Sequence, residues 1–115
     1  MTVGETIITA TLDHSKTSQD FIESLPQTIS MKRWENREYY GAIQESLSDE
    51  GELQSVFENG DVAYWPSGKS LALFFDKSVD PTLSSPVIII GKITSDLGVF
   101  ESLGEAVEMK VEVKN

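Results

Sequence analysis

Two short segments hold most of the side chains that could do chemistry. In Tyr64-Trp65-Pro66-Ser67-Gly68-Lys69 an aromatic pair, a rigid turn and a cation stand together at the end of a strand. Proline fixes its own φ, so such a turn can present an aromatic surface with little conformational freedom left to lose on binding. The same residues also fit a plainer role, in which Tyr64 or Trp65 fills the interior and Pro66 to Gly68 only set the turn. In the second segment, Trp34, Arg37, Tyr39 and Tyr40 could form an aromatic wall with a hydrogen-bonding edge, or simply pack across a half-exposed hairpin. With Phe75 added, the candidate groove comprises Tyr64, Trp65, Lys69, Phe75, Arg37 and Tyr39.

The remaining polar residues make poorer sites. His14 stands alone in a polar stretch, with no visible partner to orient it as a base or a metal ligand. Asp49, Glu50 and Glu52 lack the ligand spacing of a calcium-binding loop and read as a solvated acidic surface. The chain has no glycine-rich phosphate loop, nucleophile elbow, metal-ligand cluster or dinucleotide fingerprint. The expectation is therefore no catalytic residue, no metal and no cofactor.

The elements that must position these residues are mostly strands. Ile8, Ala10 and Leu12 alternate with Ile7, Thr9 and Thr11, which predicts a strand over Glu5 to Leu12. Thr17 and Asp20 stand at capping-box spacing ahead of the stripe Phe21, Ile22 and Leu25, and Pro26 ends that short helix. Thr28 to Trp34, the reversal at Glu35-Asn36 and Arg37 to Tyr40 make a hairpin. Gly41 to Gln54 reads as a long acidic loop. Asp61 to Trp65 and Ser70 to Phe75 follow, separated by the Pro66-Ser67-Gly68 turn and preceded by Asn59-Gly60.

Leu71, Leu73 and Phe75 alternate with the equally apolar Ala72 and Phe74, so this strand must be covered on both faces, as in a closed barrel with a helix against it. A second loop is expected over Asp76 to Pro86. Val87 to Ile93 is a further strand, with a bulge or bend at Gly91. Leu97, Phe100 and Leu103 suit a short helix ended by Gly104. Met109, Val111 and Val113 alternate with Lys110, Glu112 and Lys114 in a terminal strand. About seven or eight short strands and two short helices, with no strand–helix–strand rhythm, predict a mainly β fold, a closed antiparallel barrel plugged by helices.

Composition narrows the partners. The 115 residues suit one domain, residues 1–115. Cysteine is absent, which removes redox-thiol chemistry and thiolate metal sites and accords with a reducing cytoplasm. Nineteen acids (19) against nine bases (9) leave a net charge of −10, with no basic cluster larger than Lys32-Arg33 and nearby Arg37. Nucleic acid and anionic membrane surfaces are disfavoured on that ground. The start of the chain lacks a basic, apolar leader, and Val87 to Ile90 is far shorter than the ~20 residues of a membrane span. A cytoplasmic protein is expected, monomeric or a weak homodimer, with a small molecule or a peptide as its partner.

The run from Asn59 to Phe75 resembles the signature of a small microbial cyclophilin-like family, Gly-Asp-(Val/Ile)-x-Tyr-Trp-Pro-x-Gly-Lys-x-Leu-x-(Leu/Ile)-Phe-Phe. Val87-Ile88-Ile89-Ile90-Gly91-Lys92-Ile93 resembles the later strand of that family, and the Phe21 to Pro26 helix end and the Trp34 to Tyr40 hairpin fall where the family has them. The resemblance spans nearly the whole chain. It implies a cyclophilin-like barrel. True cyclophilins isomerise prolyl bonds with a Phe-His-Arg run, and this chain has no such run: its one histidine, His14, precedes Ser15 and Lys16. The expected function is a binding module for a small molecule or an extended peptide, without efficient catalysis. The alternatives are a prolyl isomerase with Arg37 or Lys69 as donor, and a subunit that pairs with another protein through a sheet edge.

Overall fold

The computed structural model describes residues 1–78 and 80–113. Ten strands and two helices follow in the order β1 (Thr2–Val3), β2 (Thr6–Ile7), β3 (Ala10–Leu12), α1 (Lys16–Glu23), β4 (Gln27–Trp34), β5 (Glu38–Ala42), β6 (Leu53–Val56), β7 (Asp61–Trp65), β8 (Ser70–Phe74), β9 (Thr82–Ile93), the 3-10 helix Leu97–Ser102 and β10 (Ala106–Val111). All pairings are antiparallel, and the sheet order is β2-β1-β10-β4-β5-β8-β7-β9-β3, with β6 added to β9.

The sheet is an open half-barrel, not the closed barrel expected. Its two ends, β2 and β3, belong to one stretch of chain that was predicted as a single strand. Between them the chain changes partners. The Ile8 N–H donates to the Met1 carbonyl, whereas the Thr9 N–H donates to Ser95 Oγ and the Thr9 carbonyl accepts from Thr94. No continuous ladder crosses that seam.

The concave side of the sheet encloses the main core. Ile29 and Met31 of β4, Tyr39 of β5, Val62 and Tyr64 of β7, Leu71 and Leu73 of β8, and Met109 of β10 meet Phe21 of α1 and Phe100 of the 3-10 helix there. Gly41 of β5 has to be glycine, because a Cβ would come within 2.3 Å of the Ser30 carbonyl oxygen. The helix α1 is capped by Ser15, whose side chain accepts from the Ser18 N–H, and not by Thr17, which is buried within its first turn. The second helix is a 3-10 helix capped by Asp96.

The strand β8 is buried on both faces, as its composition requires, but what covers its outer face is not a helix. A second apolar cluster lies there, made of Ala63, Ala72, Phe74, Phe57 and Val87. Two elements that the sequence pattern hid supply its cover. The strand β6 grows from the end of the predicted acidic loop, and β9 begins at Thr82, well inside the predicted second loop, and runs through Pro86. The arm of β9 from Thr82 pairs with β6 before the strand reaches β7. The predicted bend near Gly91 coincides with a register shift, since Val62 faces Gly91 while Ala63 faces Ile89. The terminal strand ends at Val111, so Val113 falls beyond it, and Lys114 lies outside the described residues.

Candidate functional site

Period-two alternation decides which candidate residues can meet. On β7, Tyr64 turns into the main core and Trp65 outward. On β5, Tyr39 turns inward while Glu38 and Tyr40 turn outward. The register sets Tyr40 beside Ala72 and Ala72 beside Ala63, with Glu38 beside Phe74. Two alanines in one row leave the outer face low between larger neighbours. A cleft of about 310 Å³ results, lined by Trp34, Glu38, Tyr40, Trp65, Phe74 and, across it, Leu83, Ser84 and Ser85 of the β9 arm.

Arg37 builds one wall of this cleft. It is buried, and its guanidinium lies 4.0 Å from the centre of the Trp34 ring and 5.4 Å from that of Phe57, which in turn stacks on Phe74 at 4.2 Å. Its Nε donates to Glu38 Oε1 at 2.7 Å, and Nη2 pairs with the same oxygen. Its Nη1 donates to the carbonyls of Asp80 and Thr82, each at 3.1 Å, tying the start of the β9 arm to β5. A planar guanidinium with several donors in fixed directions can hold two segments in this way, which a lysine ammonium cannot.

Glu38 is the ionisable group of the cleft that sequence reasoning missed. Burial pushes its pKa above the usual carboxylate range, and the Arg37 hydrogen bond and charge oppose that shift. Both Arg37 contacts fall on Oε1, and among the described residues Oε2 receives no hydrogen bond.

Trp65 is held from behind by its own turn. A Cβ on Gly68 would come within 2.3 Å of its six-membered ring, so the glycine makes room for the indole. Lys69 follows with φ at +50°, a left-handed conformation that only the tight reversal explains. The Trp65 Nε1 is buried and has no hydrogen-bond partner among the described residues. Leaving such a donor unsatisfied costs roughly 1–3 kcal/mol.

Of the six predicted groove residues, Trp65 and Arg37 come together in the cleft and four do not. Tyr64 is a core residue whose hydroxyl accepts from the Leu47 N–H at 3.2 Å, pinning the loop before β6. Tyr39 and Phe75 pack with Phe100 in the main core, their ring centres 5.3–5.9 Å apart, and the Tyr39 hydroxyl donates to the Gly104 carbonyl at 2.6 Å. Lys69 is exposed and does not line the cleft. His14 is exposed as well. Among the described residues no group of three or more acidic or histidine side chains is placed to hold a metal ion, and no helix is long and apolar enough to cross a membrane.

The family model of the cyclophilin-like family matches residues 1–114, and the chain belongs to that family. A solved structure similar to it is the solution structure of a hypothetical protein from Archaeoglobus fulgidus, at 30% identity and a TM-score of 0.60, covering 84% of this chain and 76% of that one. No curated protein matches the chain.

Proposed function

We propose that this protein is a binding module that takes a small ligand in the outer cleft of β5, β8 and β7, without efficient catalysis. One observation carries the reading: a cleft of about 310 Å³ walled by Trp34, Tyr40, Trp65 and Phe74 also holds Glu38, whose Oε2 receives no hydrogen bond among the described residues. Apolar walls with a few unsatisfied polar groups are what a ligand pocket offers, and about 310 Å³ lies at the small end of the range for such pockets. The volume favours a compact molecule over a long peptide.

The isomerase alternative needs a donor aimed at a prolyl nitrogen. Arg37 spends Nε, Nη1 and Nη2 on Glu38 and on two backbone carbonyls, and Lys69 stands away from the cleft. The Arg37 contacts leave one Nη2 N–H over, and these commitments favour the binding reading.

Both tryptophans of the chain line the cleft, so intrinsic fluorescence reports on this site. Small molecules that raise the melting temperature should also change tryptophan emission, saturably and at the same concentrations. Hits that stabilise the protein while leaving emission untouched in every case would move binding elsewhere and overturn the reading.

A further inference from the structure

Away from the cleft, one strand edge stands open. Among the described residues β6 pairs with β9 on one side and with no strand on the other. All four of its residues are exposed, Leu53 at 53% and Val56 at 52%. Natural sheets blunt such an edge with a charge, a proline or a very short strand. The strands at the two ends of the sheet order, β2 and β3, are shorter than β6, whereas Leu53-Gln54-Ser55-Val56 carries neither a charge nor a proline.

The direction of the free main-chain groups follows from one bond. The Phe57 N–H donates to the Pro81 carbonyl at 3.1 Å, so the main chain of Phe57 faces the β9 side. Alternation then turns the N–H and C=O of Val56, and of Gln54 two residues before it, to the open side. The register shift in this pair leaves that alternation intact, because its extra residues lie on β9 between Thr82 and Val87, with Ser55 alone opposite them. An extended segment laid along β6 meets the paired donors and acceptors of Gln54 and Val56, and it covers Leu53 on one face and Val56 on the other.

Charge selects the occupant. Asp49, Glu50 and Glu52 lead into the strand, are exposed, and form no ion pair among the described residues, whereas Glu58 beyond its far end is held by Lys77 at 2.7 Å. A second copy of the chain would bring its own acids to this edge, on a protein of net charge −10. A basic segment is complementary to it. We propose that β6 takes an extended, basic segment of a partner protein as an added antiparallel strand, with apolar residues opposite Leu53 and Val56 and lysine or arginine beside Glu52 and the acids before it. The cleft has no part in this pairing, so the two sites are tested separately.

The probe is the peptide acetyl-Thr-Val-Thr-Gln-Ile-Lys-Thr-Lys-amide, which in the antiparallel register sets its valine opposite Val56, its isoleucine opposite Leu53 and its first lysine opposite Glu52. One control carries glutamate in place of both lysines; another is N-methylated at the valine and the glutamine, which removes the two ladder donors facing Val56 and Gln54. Proton–nitrogen correlation spectra and hydrogen exchange follow the Gln54 and Val56 amides. The expected result is a saturable shift and slower exchange at both amides, with either control peptide binding more weakly by about tenfold or more. Val56→Pro should weaken the probe as much and leave the fold in place, because proline removes an N–H that points away from β9. Glu52→Lys, outside the strand, should weaken the basic peptide and strengthen the glutamate one, and it decides the matter if Val56→Pro does not fold. Equal binding of the glutamate peptide would overturn the basic partner, and equal binding of the N-methylated peptide would overturn strand addition. Protection of Gln54 and Val56 that rises with protein concentration and needs no peptide would assign the edge to a second copy and overturn the proposal, as would silence of both amides at millimolar peptide.

Discussion

Gly68 lies against the six-membered ring of Trp65, three residues back along the same turn, so closely that a Cβ would come within 2.3 Å of two ring carbons. The turn and the indole are thus one unit. Pro66 sets the reversal, the Lys69 N–H donates to the Pro66 carbonyl at 3.2 Å, and the Ser70 hydroxyl donates to the Gly68 carbonyl at 2.9 Å. The glycine supplies the space that lets the ring lie along the outer face of the sheet.

Gly68→Ala should therefore push the indole out of place. Its φ lies outside the left-handed region, so the cost comes from overpacking, roughly 1–3 kcal/mol if the ring cannot move aside. Chemical denaturation measures the loss, and the Trp65 indole signal should shift without any added ligand. An unchanged signal with unchanged stability would contradict the contact.

Tyr64 and Trp65 are neighbours in sequence with opposite fates. Tyr64→Phe leaves the Leu47 N–H without its acceptor and should cost about 1–3 kcal/mol. Trp65→Phe removes a donor that has no partner, so the packing it loses is offset and stability should change by less than about 1 kcal/mol. Urea denaturation of the two variants side by side decides this. A larger loss for Trp65→Phe would mean that the indole is a core element.

These two residues also show what the sequence made legible and what it did not. Two-faced burial of β8 could be read from Leu71 to Phe75, and the turn from Trp65-Pro66-Ser67-Gly68, because both depend on local pattern. A rim shared by Tyr64 and Trp65, or by Arg37 and Tyr39 with Phe75, conflicts with the period-two rule or depends on long-range packing onto Phe100. Glu38 gave no local signal, since a carboxylate next to Arg37 in a hairpin reads as solvated. Only its register against Phe74 and the return of the β9 arm bury it. Barrel closure was equally out of reach, because it turns on where Ile8 and Thr9 send their hydrogen bonds.

Prolyl isomerisation should be absent at the level of a true cyclophilin. Arg37 aims Nε and Nη1 at Glu38 and at the Asp80 and Thr82 carbonyls, with Nη2 also against Glu38, and uncatalysed rotation faces a barrier of ~20 kcal/mol. A protease-coupled proline-peptide assay should give the uncatalysed rate. Fast turnover that disappears in Arg37→Ala would refute the assignment of Arg37 as a structural clamp.

Stability should fall on both sides of a maximum as pH changes. Asp13 is held below the usual range: burial alone would raise it, but hydrogen bonds from the Ser15 and Ser18 hydroxyls and the Ser15 N–H together outweigh that effect. Its contribution is present above its unfolded pKa, near ~3.9, and is lost as pH falls through the lower folded value. Glu38 behaves in the opposite sense. Burial raises its folded pKa, so its contribution is complete below ~4.3 and is lost as pH rises through the higher folded value. Glu38→Gln should flatten the descending limb above that point and leave the acid limb intact. Denaturation midpoints measured across pH separate the two limbs, and loss of the acid limb in this variant would contradict the assignment.

Arg37→Met tests the clamp most directly, because it keeps much of the apolar stem over Trp34 while removing the charge and all the donors. Glu38 would then stand as a buried carboxylate without a partner, and breaking such a pair costs about 3–5 kcal/mol at neutral pH. Two further measurements separate that charge effect from the loss of the bonds to the Asp80 and Thr82 carbonyls. Adding Glu38→Gln to Arg37→Met should restore more than about 1 kcal/mol, since the unpaired charge is gone while the carbonyls still lack a donor. Lowering the pH should also narrow the gap between Arg37→Met and the parent, because the isolated Glu38 takes up a proton more readily than the paired one. A deficit that neither the second substitution nor acid reduces would assign the work of Arg37 to anchoring the β9 arm, with the ion pair contributing little.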